Sequence, residues 1–131
     1  MDTRLLHQFI FDRDNKWDIQ LQQGQIAERD LADLLCQKIE LKSESYLWRR
    51  TGNICIEYRQ NGRPSGIAIT EADYWVHALK RDGETLVYLM FAIERLKELA
   101  REAYRQGRYH EGGGDGGRFC NILIPLSWVL Q

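Results

Sequence analysis

The sequence predicts one α+β (α/β) domain built on a single sheet. The chain has 131 residues, enough for one modest hydrophobic core and too few for two, so a single domain over 1–131 is expected. Two segments carry helical periodicity, and the segments between and after them alternate or run as short apolar strands. Their order is a helix, several strands, a second helix and a tail, the pattern of helices packed on one sheet. Hydrophobic residues at 44% and charged residues at 28% exclude a disordered or collagen-like chain and a small disulfide scaffold.

The first helix is predicted over about residues 24–36, where Ile26, Ala27, Leu31, Leu34 and Leu35 recur at helical spacing. Lys38-Ile39-Glu40-Leu41-Lys42 alternates and reads as a strand, followed by an irregular excursion over 43–53. Ile54-Cys55-Ile56-Glu57-Tyr58 alternates again, and Asn61-Gly62 and Pro64-Ser65-Gly66 are turn signals. Thr70-Glu71-Ala72-Asp73 has the spacing of a capping box and predicts a single helical turn. Tyr74–Leu79 and Leu86–Phe91 read as strands joined by a turn at Arg81-Asp82-Gly83. The second helix is predicted over about 92–105, with Ile93, Leu96, Ala100, Ala103 and Tyr104 on one face and Gly107 at its C-terminal cap. Gly112–Gly117 predicts a mobile loop, and residues 120–126 an apolar closing segment, either irregular or a short strand.

No stretch approaches the roughly 20 apolar residues of a membrane span, and no secretory h-region follows Met1, so no membrane partner is expected. Cys36, Cys55 and Cys120 are odd in number and lack C-x-x-C spacing, which predicts reduced thiols and a cytoplasmic location. The formal charge of −1 excludes a histone-like binder. Its distribution is uneven. Residues 38–63 carry six basic side chains (Lys38, Lys42, Arg49, Arg50, Arg59, Arg63) against three acidic ones, a local net of +3 that can meet phosphate. Trp48 lies in the same segment, as a core residue or a stacking surface for a base.

Three carboxylates stand out. Leu31, Ala32 and Leu35 lie about −60°, +40° and −20° from Glu28 around the first helix, so Glu28 shares its apolar face and needs a partner or a shifted pKa if buried. On the strands, Glu40-x-Lys42 and Glu57-x-Arg59 each place a carboxylate and a cation on one face. If the two strands pair, both acids can converge; otherwise each pair is a salt bridge on a solvated face. Carboxylate oxygens of this kind suit Mg²⁺ or Mn²⁺, and a nearby cation can orient water or offset charge on a phosphate undergoing attack.

At these residues the chain resembles the PD-(D/E)XK (restriction-endonuclease-like) nuclease superfamily, most closely its small phage or prophage members. The resembling stretch runs from Gln25-Ile26-Ala27-Glu28 through Lys38-Ile39-Glu40-Leu41-Lys42 to Thr51–Tyr58, Gly62–Ile67 and Thr70–Trp75. The resemblance implies an αβββαβ core, a central mixed sheet flanked by helices, and Mg²⁺- or Mn²⁺-dependent hydrolysis of DNA phosphodiesters. It assigns Glu28, Glu40, Lys42 and Glu57 to catalysis, with Glu40 and Glu57 as metal ligands. Two departures stand: the first strand acid is Glu40 rather than Asp, and Arg59 replaces the E-x-K lysine. Either Lys42 supplies the ammonium to Glu57 from the neighbouring strand, or Glu40-x-Lys42 is itself the motif and Glu57 is auxiliary. Arg49, Arg50, Arg59 and Arg63 are candidate DNA contacts. One site cuts one strand, so double-strand scission implies a homodimer. The competing expectation is a catalytically inactive module of the same fold that binds nucleic acid or protein, as a phage accessory or inhibitor protein.

Overall fold

The computed structural model describes residues 27–113 and 115–131. The chain divides into two compact units, Met1–Cys36 and Gln37–Gln131. In the first, the helix α1 spans residues 27–35 and ends in a turn closed by Cys36 N donating to Asp33 O. Residues 24–26 of the expected helix lie outside the described residues. Leu31, Leu35 and Glu28 are exposed on α1.

The second unit is mixed α+β, as the sequence predicts. Its elements are β1 (Ile39–Glu44), α2 (Leu47–Thr51), β2 (Asn53–Gln60), β3 (Arg63–Pro64), a 3₁₀ turn (Gly66–Ala68), β4 (Tyr74–Arg81), β5 (Glu84–Ala92), α3 (Ile93–Arg105), β6 (Tyr109–Gly113), a second 3₁₀ turn (Asp115–Gly117), β7 (Phe119–Pro125) and α4 (Leu126–Val129). Two sheets stand where one is expected. One is a mixed three-stranded sheet ordered β1-β4-β5, with β1 parallel to β4. The other is antiparallel and four-stranded, ordered β3-β2-β7-β6. β1 and β2 therefore do not pair, and Glu40 and Glu57 stand on different sheets.

The hairpins follow from their turn residues. Asp82 and Gly83 both have positive φ (50° and 83°), and so do Asn61 and Gly62 (51° and 76°). These are two-residue turns whose twist matches that of the flanking strands. Alternation on β4 buries Trp75, His77 and Leu79 on one face. Phe91, the partner of Trp75 on β5, is buried with them. Ile54 and Ile56 of β2 and Ile122 and Ile124 of β7 supply the other sheet's share of the core. α3 closes that core with Leu96, Leu99, Ala100 and Ala103 at i, i+3, i+4 and i+7. Gly107, at φ 73°, ends the helix by donating its N–H to Tyr104 O.

Three local expectations are corrected. Thr70–Asp73 forms no helical turn; the turn precedes it at Gly66–Ala68. Thr70 Oγ1 instead accepts from Ala72 N and donates to Glu40, so its hydroxyl serves a neighbouring strand rather than a helix start. Gly112 and Gly113, expected in a loop, end strand β6. The excursion over 43–53 contains the end of β1, α2 and the start of β2.

A buried polar chain joins the two sheets. Trp75 Nε1 donates to His77 Nδ1 at 3.2 Å. An indole N–H can only donate, so Nδ1 accepts and the imidazole carries its hydrogen on Nε2. His77 Nε2 then donates to Glu44 Oε2 at 3.0 Å. The same oxygen accepts the Cys55 backbone N–H at 2.9 Å. Cys55 N points away from β7, along the edge of β2 where a further strand would pair, and the Glu44 carboxylate takes that strand's place. Replacing Glu44 with Ala orphans two donors, the buried His77 imidazole N–H and the half-buried Cys55 backbone N–H. It should cost about 1–3 kcal/mol for each, measured by urea unfolding; a loss below about 0.5 kcal/mol would show that water replaces the carboxylate freely.

Candidate functional site

β1 is an edge strand, and its parallel register decides which of its faces meets the core. Glu40 pairs with Trp75, Lys42 with His77 and Glu44 with Leu79. Partners in register share a face, so the charged face of β1 lies on the side where β4 buries Trp75, His77 and Leu79. Leu41, on the opposite face, is 60% exposed. The carboxylates thus stand at the rim of the core rather than on a solvated ladder.

Glu40 is well held there. Its Oε2 accepts the Thr70 hydroxyl at 2.7 Å, and its Oε1 lies 3.0 Å from Lys42 Nζ. Partial burial alone would raise the Glu40 pKa, but the hydrogen bonds from Thr70 and Lys42 and the ammonium charge outweigh it and hold the carboxyl below its ordinary value. Glu40 and Thr70 line an open groove with Lys38, Ile39, Leu41, Glu71 and Ala72. The segment 70–74 is tied to the start of β1: Asp73 N and Tyr74 N both donate to Lys38 O, and Lys38 N donates to the Asp73 carboxylate. Asp73 therefore clamps a strand rather than capping a helix.

Glu57 is half-buried on β2 and meets the other end of the same connecting segment. Gly66, at φ 51°, lies so close that a Cβ there would strike the Glu57 carbonyl oxygen and crowd its Cβ. Gly66 O in turn accepts Thr70 N at 3.0 Å. The Gly66–Thr70 segment thus touches both strand acids, one at each end.

The Glu57-x-Arg59 pair does not survive as a pair. A β-bulge falls between these residues: Glu57 pairs with Asn121, and Arg59 with the next residue of β7, Cys120. Adjacent residues of β7 face opposite sides of the sheet, so Arg59 is turned away from Glu57. It forms an ion pair with Glu111 at 3.0 Å and lies 5.4 Å from the Tyr58 ring centroid. Glu40-x-Lys42 is the pair that keeps its charges together.

The other sequence candidates are dispersed. Glu28 belongs to the first unit and is exposed, so its carboxylate needs no burial partner; the site built from Glu40 belongs wholly to the second unit. Arg49 and Arg50 are exposed in the last turn of α2, and Arg63 is exposed on β3. Trp48 donates its indole N–H to Lys80 O at 2.9 Å and packs against the core, so it anchors α2. The three cysteines are free. Burial and the nearby Glu44 charge push the Cys55 thiol up to about 11, which makes it a poor nucleophile. Sequence reasoning missed Glu71, although its motif was in view, and the buried His77, whose alternation with Trp75 and Leu79 was a usable signal.

Comparison with protein-family models, curated proteins and solved structures finds no match to this chain. Among the described residues no three His, Cys, Asp or Glu side chains converge in a metal-binding group, and no helix is long and apolar enough to cross a membrane.

The depressed Glu40 pKa adds stability that is fully present above the ordinary value of 4.5 and is lost as pH falls through the folded-state value. Urea midpoints of wild type and Glu40→Gln should therefore converge as pH drops below 4.5; a difference independent of pH would place the effect in packing. Gly66→Ala should cost about 1–3 kcal/mol in the same assay, because it combines a left-handed backbone with a steric clash.

Proposed function

We propose that the chain is a metal-dependent nuclease acting on DNA, with Glu40-x-Lys42 as its acid–cation motif. The observation that carries this reading is the Glu40 carboxylate at the rim of an open groove, held anionic between the Thr70 hydroxyl and the Lys42 ammonium. The resemblance in sequence supports the same chemistry.

The donor set fits a hard divalent cation. Glu40, Glu71 and Thr70 offer oxygen atoms on one groove, and Mg²⁺ or Mn²⁺ commonly keeps several waters and takes only one or two protein carboxylates. Glu40 would hold the ion with Glu71 as second carboxylate, since Glu57, on the other sheet, does not line this groove. When bound, such an ion supplies positive charge to the phosphate under attack and acidifies water.

The side chains divide the remaining work. Thr70 fixes the Glu40 rotamer. Lys42 is 48% exposed, free to swing toward a phosphate oxygen or to orient a water molecule, a role that a point-charge ammonium performs and Arg59 on the other face does not. Arg49 and Arg50, exposed on α2, supply forked donors for backbone phosphates, and Arg63 does so from β3. Glu57 is auxiliary, acting on the groove through the Gly66–Thr70 segment it touches. Two copies would be needed to cut both strands, and a cytoplasmic setting suits three free thiols.

A second reading, a catalytically inactive module of this fold that binds nucleic acid or protein, draws on the lack of a three-ligand cluster among the described residues. Supercoiled plasmid with Mg²⁺ or Mn²⁺ separates the two. Wild type should nick it; Glu40→Gln and Lys42→Ala should each lower the rate about 100-fold or more, and Glu57→Gln by less. Equal cleavage by wild type and all three variants would reject the assignment, and DNA binding without cleavage by wild type would establish the second reading.

A further inference from the structure

A second cleft, of about 900 Å³, lies between the β2–β3 hairpin and α3. Its apolar surfaces come from Tyr58, Pro64, Ile67, Ala100, Tyr104 and Ile122. Among the described residues four cations line it, Arg59, Lys97, Arg101 and Arg105, and no acid does.

The arrangement follows from two local features. Lys97, Arg101 and Arg105 recur every four residues, which places them in one stripe along α3 beside Ala100 and Tyr104. The bulge in β2 turns Arg59 onto the face that bears Ile122, and so into the same cleft. The acids that meet these cations, Glu94 with Lys97 at 3.9 Å, Glu102 with Arg105 at 2.8 Å and Glu111 with Arg59 at 3.0 Å, are not among the lining residues. Arg101 has no ion-pair partner among the described residues.

The aromatic side is equally organised. Tyr58 and Tyr104 meet edge to face with centroids 5.8 Å apart, and Tyr104 stacks on Tyr109 at 4.7 Å. Tyr104 is 46% exposed, so the row is not sealed in the core. The Tyr58 hydroxyl and the Arg59 guanidinium interact with each other, and Arg59 lies 5.4 Å from the Tyr58 ring centroid, so the cation and the ring are presented side by side.

We propose that this cleft binds a nucleoside phosphate, with the base against the Tyr58–Tyr104 row and the phosphate between Arg59 and the α3 cations. A planar π-face and an anion are what the two halves of the lining recognise together. A purely apolar ligand would leave four cations facing it, and an inorganic anion would leave the aromatic row unused. The ligand has two possible sources, a free nucleotide or the unpaired end of a strand. The site is separate from the Glu40 groove and does not depend on the nuclease reading.

The test is calorimetric titration of the full chain in EDTA, so that divalent-ion chemistry at Glu40 plays no part. The probes are deoxyadenosine 5′-monophosphate, deoxyadenosine, inorganic phosphate and a single-stranded deoxyadenosine decamer. The nucleotide or the decamer should bind about tenfold or more tightly than either deoxyadenosine or phosphate. Arg101→Glu and Tyr104→Ala should each weaken that binding about tenfold, whereas Arg101→Lys and Tyr104→Phe should retain most of it. Circular dichroism checks that the variants fold. Binding of the monophosphate identifies a nucleotide site; binding of the decamer alone identifies a strand-end site. The proposal is overturned if neither binds, if phosphate binds as tightly as both, or if Arg101→Glu and Tyr104→Ala leave the affinity unchanged.

Discussion

The second unit depends on one carboxylate placed where two sheets meet. Glu44 stands at the last position of β1 and accepts a backbone N–H from β2 and an imidazole N–H from β4 through a single oxygen. A buried carboxylate is costly unless its hydrogen bonds are made; Oε2 makes two that join the edges backbone pairing leaves apart, while Oε1 is buried with no partner among the described residues. The consequence reaches the candidate groove. Glu40 is four residues upstream on the same face of the same strand, roughly 13 Å away at about 3.3 Å per residue. Anchoring Glu44 fixes the depth at which Glu40 emerges, and Thr70 and Asp73 fix the other end of the strand.

Elements with short-range causes are readable from the sequence. The α3 helix is announced by Leu96, Ala100 and Ala103, and the β4–β5 hairpin by Asp82-Gly83, because each rule acts within a few residues. The face of β1 is not readable in this way. Alternation separates Ile39 and Leu41 from Glu40 and Lys42, but which set meets the core depends on pairing with β4, some 35 residues away, and on Thr70 being present to satisfy the acid. Strand β6 is hidden because Tyr109-His110-Glu111-Gly112-Gly113 has no apolar alternation and ends in glycines; β7 alone makes it a strand. The Glu44 network is hidden for a further reason, since one of its partners is a backbone amide and leaves no trace in residue identity.

The candidate site shows the same division. Glu40, Lys42 and Glu57 can be singled out from type and spacing, yet their convergence rests on β1 and β2 pairing, and the Glu44 bridge stands where that pairing would be. The acids instead share the Gly66–Thr70 segment, which requires a residue without a Cβ against Glu57 and a hydroxyl against Glu40. The bulge between Glu57 and Arg59 is equally invisible in a two-residue spacing, and it separates the two readings of the E-x-K motif by turning one cation to the other face.

That bulge also reorganises the electrostatics of a chain with a net charge of −1. Counted along the sequence, the cations of residues 38–63 form one basic segment. Counted in space, they divide: Lys42 stays paired with Glu40, while Arg59 joins Lys97, Arg101 and Arg105, which lie more than 30 residues further on, at the cleft. The acids that pair with the cleft cations, Glu94, Glu102 and Glu111, are exposed and outside its lining, where ion pairs are screened by water and exchange readily. Inside a concavity with low-dielectric walls the same cations act with less screening. A near-neutral chain can therefore present strongly positive surfaces at chosen places, provided that the backbone, through one bulge and one four-residue helical repeat, separates the cations from the acids that balance them in sequence.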